Sequence, residues 1–115
     1  LLAGLKGTQL VFALPGNPAS VLTCFMQYVK PSLEQWMGNS AAWEQARSYP
    51  LATNWEKQVK LTVFLKARLV AGQVEVLPGQ ESFNLLSFGS ADGLIQINED
   101  QQSLKEGTLV PFYPW

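Results

Sequence analysis

Histidine is absent from this 115-residue chain, and Cys24 is its only cysteine. These two shortages exclude Ser-His-Asp and Cys-His catalysis, imidazole-ligated metal sites, zinc knuckles and internal disulfides. Cys24 lies among apolar residues of a helical pattern, so we predict a buried thiol. An unpaired cysteine is typical of proteins from a reducing compartment.

Charge is also scarce, since Asp, Glu, Lys and Arg make up 15% of the residues and the net charge is −1. The basic residues are scattered singly, which argues against a nucleic-acid-binding surface. No apolar run approaches the roughly 20 residues that a membrane span needs, and no secretory signal pattern opens the chain. We therefore expect a cytoplasmic protein that binds neither nucleic acid nor membrane.

The most informative stretch is an apolar run, residues 10–14, that leads into Pro15-Gly16-Asn17-Pro18. This order predicts a strand, a tight turn and a helix that begins at Pro18 with Asn17 as its N-cap. The N–H groups of the first turn, at residues 19–21, are expected to be free and to lie beside the Ser20 hydroxyl. Such a helix start can bind an anion. The alternative is an ordinary capped helix that binds nothing.

The residues around this turn predict one strand–helix unit. After Pro18, apolar residues recur at three- and four-residue spacing, as in an amphipathic helix. Pro31 predicts a kink or break near Lys30, and Gly38-Asn39 is predicted to end the helix. Residues 1–7 are interpreted as the tail of a preceding helix. A strand that is apolar on both faces is typical of a parallel sheet, so residues 1–38 are predicted to be the last strand–helix unit of an α/β domain whose remainder lies outside this chain.

The rest of the chain has a two-residue hydrophobic period. A first strand is predicted within 42–52, and a half-buried strand over 58–69 that Ala71-Gly72 turns into a hairpin with 73–77. A short helical turn is predicted within 81–89, and strands at 93–98 and 108–113, with Pro111 at an edge or an end. Short strands with tight turns indicate a small antiparallel barrel or sandwich.

Three basic side chains alternate with the apolar face of the 58–69 strand, namely Lys60, Lys66 and Arg68. A shared polar face of this kind is usually solvated. The alternative is that the three cations line a cleft for an anion.

Three segments resemble one known family. Leu14–Ser20 (LPGNPAS) resembles the LPGNP segment near the end of the molybdopterin-binding domain of the MoeA family, which is related to the E domain of gephyrin. Phe64–Leu69 (FLKARL) resembles the F-x-R-x-x-L strand of the family's C-terminal domain. Lys66 replaces the usual arginine there, so a bidentate contact is not expected.

The third segment, Gly79–Ile95, resembles the family's GQ-x-S loop, Leu-Ser pair and A-N-[GA]-L motif. Asp92 stands where the family usually has asparagine, so a hydrogen bond donated by this side chain is not expected. Leu104–Val110 also resembles the family's entry into its last strand. The matches occur in the family's order and cover nearly the whole chain.

The resemblance implies an α+β protein. Residues 1–40 would be the C-terminal strand–helix remnant of the molybdopterin-binding α/β domain, and residues 41–115 the C-terminal β domain. The implied function is molybdenum cofactor biosynthesis by a molybdopterin molybdenumtransferase, which inserts molybdate into adenylylated molybdopterin with Mg²⁺ and releases AMP. The full-length protein is expected to be a homodimer, and the 115-residue chain alone to be inactive.

The predicted site residues fall into two groups. The anion- and substrate-binding group is the turn, with Pro15, Gly16, Asn17, Pro18 and Ser20. The second group forms a possible cleft wall, with Lys66, Gln80, Ser82 and Ser87, although Gln80 and the two serines are more often hydrogen bonders that stabilise a loop than substrate contacts. No metal ligand is predicted, because the acidic residues lack metal-ligand spacing.

A different class of function stays open. The β domain could be an interaction or dimer-supporting module without chemistry of its own, as gephyrin's E domain illustrates by analogy. The low charge and the aromatic residues Trp43, Trp55 and Trp115 are consistent with this alternative.

Overall fold

The computed structural model describes residues 1–81 and 84–115, and these fall into two compact units. Unit 1 comprises Leu1–Glu44 with Glu81–Leu85, and unit 2 comprises Gln45–Gln80 with Leu86–Trp115. The prediction for Ser82 lies outside the described residues. None of the described helices is both long enough and apolar enough to cross a bilayer.

Unit 1 begins with a hairpin of two antiparallel strands, β1 (Leu2–Lys6) and β2 (Gln9–Ala13). The predicted strand before the turn is therefore present as β2. The interpretation of residues 1–7 as a helix tail was wrong, because these residues pair with β2 instead. Among the described residues β2 has only this antiparallel neighbour, so its place in a parallel α/β sheet stays a prediction.

The helix after the turn has three parts. These are α1 (Pro18–Cys24), a π-helical segment (Phe25–Val29) and α2 (Lys30–Trp36). The break expected near Lys30 is this π segment, in which the Lys30 N–H reaches back five residues to the Phe25 carbonyl. Pro31 follows directly and has no N–H to continue the regular ladder, which is the physical reason for an irregular turn here.

The helix ends at the predicted glycine. The Gly38 N–H donates to the Gln35 carbonyl and the Asn39 N–H to the Glu34 carbonyl, each at 3.0 Å. This pair of bonds is a Schellman motif, which requires a left-handed residue at Gly38, and its φ is 97°. Glycine satisfies that requirement without a steric penalty.

Unit 2 contains seven strands and one short helix. Their bounds are β3 (Arg47–Pro50), β4 (Trp55–Glu56), β5 (Val63–Val70), β6 (Gln73–Val76), α3 (Leu86–Gly89), β7 (Gly93–Ile97), β8 (Ser103–Leu104) and β9 (Leu109–Pro114). The predicted strands within 42–52 and at 73–77, 93–98 and 108–113 are present with small shifts of their ends. The two-residue strands β4 and β8, which pair with each other, were not predicted.

Five of these strands form one antiparallel sheet in the order β3-β9-β7-β5-β6. The sheet curls, because Leu51, directly after β3, forms a bridge with Val74 on β6 and so joins its two edges. The Ala52 N–H donates to the Val74 carbonyl at 2.9 Å at the same place. The sequence predicts a small antiparallel barrel or sandwich here, and the structure shows a curled antiparallel sheet with a short helix.

The core of unit 2 lies on the inner face of the curled sheet. Its buried members come from most of the strands and the segments that follow them, namely Leu51, Leu65, Ala67, Val74, Ile95, Ile97, Leu104, Val110 and Phe112. Along β5 the inward side chains alternate as the sequence predicts. The strand begins only at Val63, however, since Val59 and Leu61 precede it and are exposed.

Pro111 was predicted to lie at an edge or an end of the sheet, because it has no N–H to donate. Strand β9 is an interior strand with β3 on one side and β7 on the other. Its pairing with β7 covers only residues 112–114, so Pro111 lies just beyond the end of that ladder. Pro111 thus lies at the end of one ladder, which is one of the two predicted positions, although the strand that contains it is not an edge strand.

Candidate functional site

The turn between β2 and α1 has the predicted N-cap. Asn17 has an extended backbone, with φ −73° and ψ 122°, and its Oδ1 accepts from the N–H groups of Ala19 and Ser20 at 3.0 and 3.2 Å. Pro18 occupies the first helical position, where its missing N–H removes no intrahelical bond. Residues 16–18 are exposed, and the turn is open to solvent.

The same cap corrects one expectation about this site. The N–H groups of Ala19 and Ser20 are not free, because the Asn17 side chain accepts from both of them. The third group, the Val21 N–H, donates to the Asn17 carbonyl at 2.9 Å. An asparagine cap satisfies the donors that a bare helix start would offer to a ligand.

Other donors remain on the exposed side of the turn. They are the main-chain N–H groups of Gly16 and Asn17 and the hydroxyl of Ser20, for which the described residues provide no hydrogen-bond partner. Ser20 is half-buried, whereas Gly16 and Asn17 are exposed. These three groups and the positive end of the helix dipole are what the turn offers to an anion.

The second predicted group lies in unit 2, where Gln80 is bound to the main chain of Lys66. The Lys66 N–H donates to Gln80 Oε1 at 2.9 Å, and Gln80 Nε2 donates to the Lys66 carbonyl at 2.8 Å. Gln80 Nε2 also donates to the Leu77 carbonyl at 2.7 Å. The amide thus extends the β5–β6 ladder past Val76, the last residue of β6.

The Lys66 side chain is buried, with 3% of its surface exposed. Its Nζ donates to the Gly79 carbonyl at 2.7 Å and lies 4.9 Å from the centre of the Phe88 ring. The same carbonyl accepts from Ser87 Oγ at 3.0 Å. We call Lys66, Gly79, Gln80, Ser87 and Phe88 the Gly79 cluster.

This geometry corrects the predicted strip of three cations. Lys66 is buried, Arg68 is exposed and paired with Glu75 at 3.2 Å, and Lys60 lies before β5 begins. The three side chains therefore do not form one solvated face. The structure does bring Lys66, Gln80 and Ser87 together, and each has a side-chain hydrogen bond to the main chain.

Asp92, which stands where the resemblance led us to expect asparagine, has a role as an acceptor. Its Oδ2 accepts from the Leu69 N–H at 2.9 Å, and its own N–H donates to the Ala67 carbonyl at 2.9 Å. A carboxylate performs this role as well as an amide oxygen does. The two-residue spacing of Ala67 and Leu69 along β5 was the available signal, because alternate residues direct their N–H groups to the same side.

Among residues 1–81 and 84–115 no group of three or more Cys, Asp and Glu side chains is placed to hold a metal ion. The described donor set therefore does not fit Mg²⁺, which prefers several oxygen ligands in octahedral geometry. No step of a mechanism is assigned to a metal on this chain.

Comparison with known proteins identifies relatives. A family model described as the MoeA C-terminal region (domain IV) matches residues 48–115. A molybdopterin molybdenumtransferase of Synechocystis is 27% identical over 115 residues, which is 96% of this chain and 26% of the relative. Molybdopterin molybdenumtransferase 2 of Mycobacterium tuberculosis is 34% identical over 104 residues, 89% of this chain and 25% of the relative.

Solved structures resemble the fold. A crystal structure of the molybdopterin biosynthesis moeA protein from Pyrococcus horikoshii superposes with a TM-score of 0.72 at 30% identity, and covers 97% of this chain and 28% of that chain. A molybdenum cofactor biosynthesis protein from Pyrococcus furiosus has a TM-score of 0.69 at 19% identity, covering 87% of this chain and 36% of that chain. The present chain spans about a quarter of the length of the curated relatives it matches.

Proposed function

Because the chain belongs to the family of MoeA C-terminal regions (domain IV), we propose that it forms part of a molybdopterin molybdenumtransferase in molybdenum cofactor biosynthesis. In this proposal the whole enzyme inserts molybdate into adenylylated molybdopterin and releases AMP, with Mg²⁺ bound by other parts of the protein. Residues 1–40 are the end of the molybdopterin-binding domain and residues 41–115 the C-terminal β domain. A homodimer and a cytoplasmic location remain predictions.

The observation that supports a substrate contact is the exposed turn Pro15–Ser20. It combines the main-chain N–H groups of Gly16 and Asn17, which have no hydrogen-bond partner among the described residues, with the Ser20 hydroxyl beside the positive end of a helix. Molybdate and phosphate esters are tetrahedral anions that accept hydrogen bonds from such donors. We propose that Ser20 donates a hydrogen bond to the anion and orients it.

Ser20 is not proposed as a nucleophile. A serine hydroxyl needs an adjacent base for that role, and this chain contains no histidine. The proposed function of the turn is therefore to bind and position an anionic substrate, while Pro18 and the Asn17 cap hold the helix start in place.

The proposal is tested with a chimera in which this chain replaces the C-terminal quarter of the Synechocystis enzyme. Release of AMP is measured with adenylylated molybdopterin, molybdate and Mg²⁺. We expect an active chimera, no activity from the 115-residue chain alone, and a KM for the anionic substrate about ten-fold higher in Ser20→Ala, as for loss of one charge-assisted hydrogen bond. Ser103→Ala, an exposed serine on β8, is the matched control and should leave the KM unchanged.

A folded chimera that releases no AMP would contradict the proposed function. Equal KM values for Ser20→Ala and Ser103→Ala would contradict the proposed site alone. Sedimentation of the same chimera tests the interaction-module alternative, which predicts that changes in the β domain abolish dimers and leave substrate affinity intact. Of the aromatic residues named for this alternative, Trp43 and Trp115 are exposed and Trp55 is half-buried.

A further inference from the structure

We infer that Lys66 is a positioning residue, whose buried ammonium holds the Gly79–Gln80 turn and Phe88 against β5 instead of contacting an anionic substrate. The inference revises the expectation from the sequence that Lys66, Gln80 and Ser87 line a cleft wall. Only its last experimental arm rests on the proposed function.

The first step is the burial of the ammonium. Lys66 is 3% exposed, and its Nζ lies 2.7 Å from the Gly79 carbonyl oxygen and 4.9 Å from the Phe88 ring centre. Hydrogen bonds from a charged donor are about twice as strong as neutral ones, and an ammonium gains more from an aromatic ring once it is desolvated. Both contacts therefore depend on the positive charge of Lys66.

The second step links that charge to Gln80. Gly79, which accepts from the ammonium, precedes Gln80, whose amide binds the Lys66 main chain through both its oxygen and its nitrogen. One residue thus anchors the turn at two points, through its side chain and through its backbone. Loss of the ammonium should release Gly79 first and then weaken the pairing of Gln80.

The third step concerns Ser87, which donates to the same Gly79 carbonyl at 3.0 Å. Ser87 and Phe88 both belong to α3, so the contacts at Gly79 also hold this short helix. Lys66 therefore fixes both segments of the Gly79 cluster before any ligand arrives.

Amide hydrogen exchange on the 115-residue chain tests the inference. The reporter is the N–H of residue 66, which is protected by Gln80 Oε1, and the internal control is the N–H of Asp92, which donates to Ala67 on the other side of β5. In Lys66→Met, which keeps the length of the side chain but not its charge, we expect exchange at residue 66 to rise about ten-fold and exchange at Asp92 to stay unchanged.

Lys66→Arg keeps the charge and should retain most of the protection at residue 66. If the Lys66 side chain only filled space, Lys66→Met would retain more protection than Lys66→Arg. Phe88→Leu provides an independent test if Lys66→Met does not fold. It removes the ring but leaves the Gly79 contact, and we expect a rise of about three-fold at residue 66. Equal protection in the Met and Arg variants, or a uniform rise that includes Asp92, would overturn the inference.

Titration of the wild-type chain with sodium molybdate, followed by chemical shifts, is the last arm. We expect no saturable shift at residues 66, 79 and 88, because the ammonium is already bound to protein. A saturable shift at these residues would overturn the inference. Shifts at Gly16, Asn17 and Ser20 report on the proposed anion site separately, so failure of one idea can be distinguished from failure of the other.

Discussion

Gln80 pairs with Lys66 as a strand residue would, since its Oε1 accepts the Lys66 N–H at 2.9 Å and its Nε2 donates to the Lys66 carbonyl at 2.8 Å. Strand β6 ends at Val76, and the Leu77 N–H still donates to the Lys66 carbonyl at 3.0 Å, so the Gln80 side chain supplies the partner that the Lys66 N–H would otherwise lack. A buried main-chain group without a partner is destabilising. This relationship explains why a glutamine follows Pro78-Gly79 at the end of the hairpin.

The first prediction concerns Gln80→Glu. The carboxylate can still accept from the Lys66 N–H, but it can no longer donate to the carbonyls of Lys66 and Leu77. We expect the free energy of unfolding at pH 7 to fall by about 2 kcal/mol, measured by urea denaturation. Gln73→Glu, at the exposed start of β6, is the control and should change it by less than about 0.5 kcal/mol. Equal losses in the two variants would argue against a special role for Gln80.

Asp92 is the counterpart of Gln80 on the other side of β5. Its carboxylate accepts from the Leu69 N–H at 2.9 Å, and an asparagine oxygen would accept equally well. We expect Asp92→Asn to leave the free energy of unfolding within about 0.5 kcal/mol, and Asp92→Ala to lower it by about 1 kcal/mol. The two variants are compared by urea denaturation under the same conditions. A large loss in Asp92→Asn would show that the negative charge itself matters.

The sequence predicts strands well where the alternation of apolar residues matches their burial. It does not predict features that depend on contacts between residues far apart in the chain. Within the alternating stretch 58–69, Leu65 and Ala67 are buried in the core as predicted. Val59 and Leu61 are exposed, because they lie outside β5. Strands of two residues, such as β4, are too short for any period to be visible. Burial of Lys66 depends on Phe88 and Gly79, which lie well downstream in the chain.

For the candidate site, the sequence predicts the helix cap correctly, but it does not predict that the cap occupies the N–H groups of the first turn. Asn17 as an N-cap and Pro18 as the first helical residue follow from nearest-neighbour geometry. The same local geometry also means that the Asn17 oxygen occupies the donors of Ala19 and Ser20, which had been expected to be free. A cap and an anion compete for the same N–H groups, and the sequence pattern does not tell which of them is bound.

Strands β7 and β9 approach each other closely at Gly93. A methyl group built on Gly93 would collide with the Tyr113 carbonyl oxygen and lie 2.8 Å from Cζ of Phe112. We expect Gly93→Ala to lower the free energy of unfolding by about 1 to 3 kcal/mol, because the strands must move apart. Gly89→Ala has open space around it and serves as the control in the same denaturation experiment. A neutral Gly93→Ala would mean that the ladder adjusts without loss.

The turn between β5 and β6 contains Ala71 at a position where the backbone conformation disfavours alanine. Ala71 has a φ of 50° and Gly72 a φ of 78°, which is the pattern of a type I′ turn. Asparagine adopts a positive φ with a smaller conformational penalty than alanine does. We expect Ala71→Asn to raise the melting temperature by several degrees, about 4 °C for each kcal/mol gained, measured by circular dichroism. The reversed sequence at the turn, Ala71→Gly with Gly72→Ala, should show no such gain, and an unchanged melting temperature in Ala71→Asn would contradict the strain argued here.

Asn17→Ala separates helix capping from anion binding at the start of α1, where the cap and an anion compete for the same N–H groups. Removal of the cap should lower stability by about 1 kcal/mol, as measured by thermal unfolding, whereas Asn17→Asp should retain it because its carboxylate also accepts from Ala19 and Ser20. The alanine variant also uncovers those two N–H groups, so added molybdate should raise the melting temperature of Asn17→Ala more than that of the wild type. Asn17→Asp should respond least of the three, since its negative charge repels the anion. An equal response of all three proteins would show that molybdate does not bind at this turn.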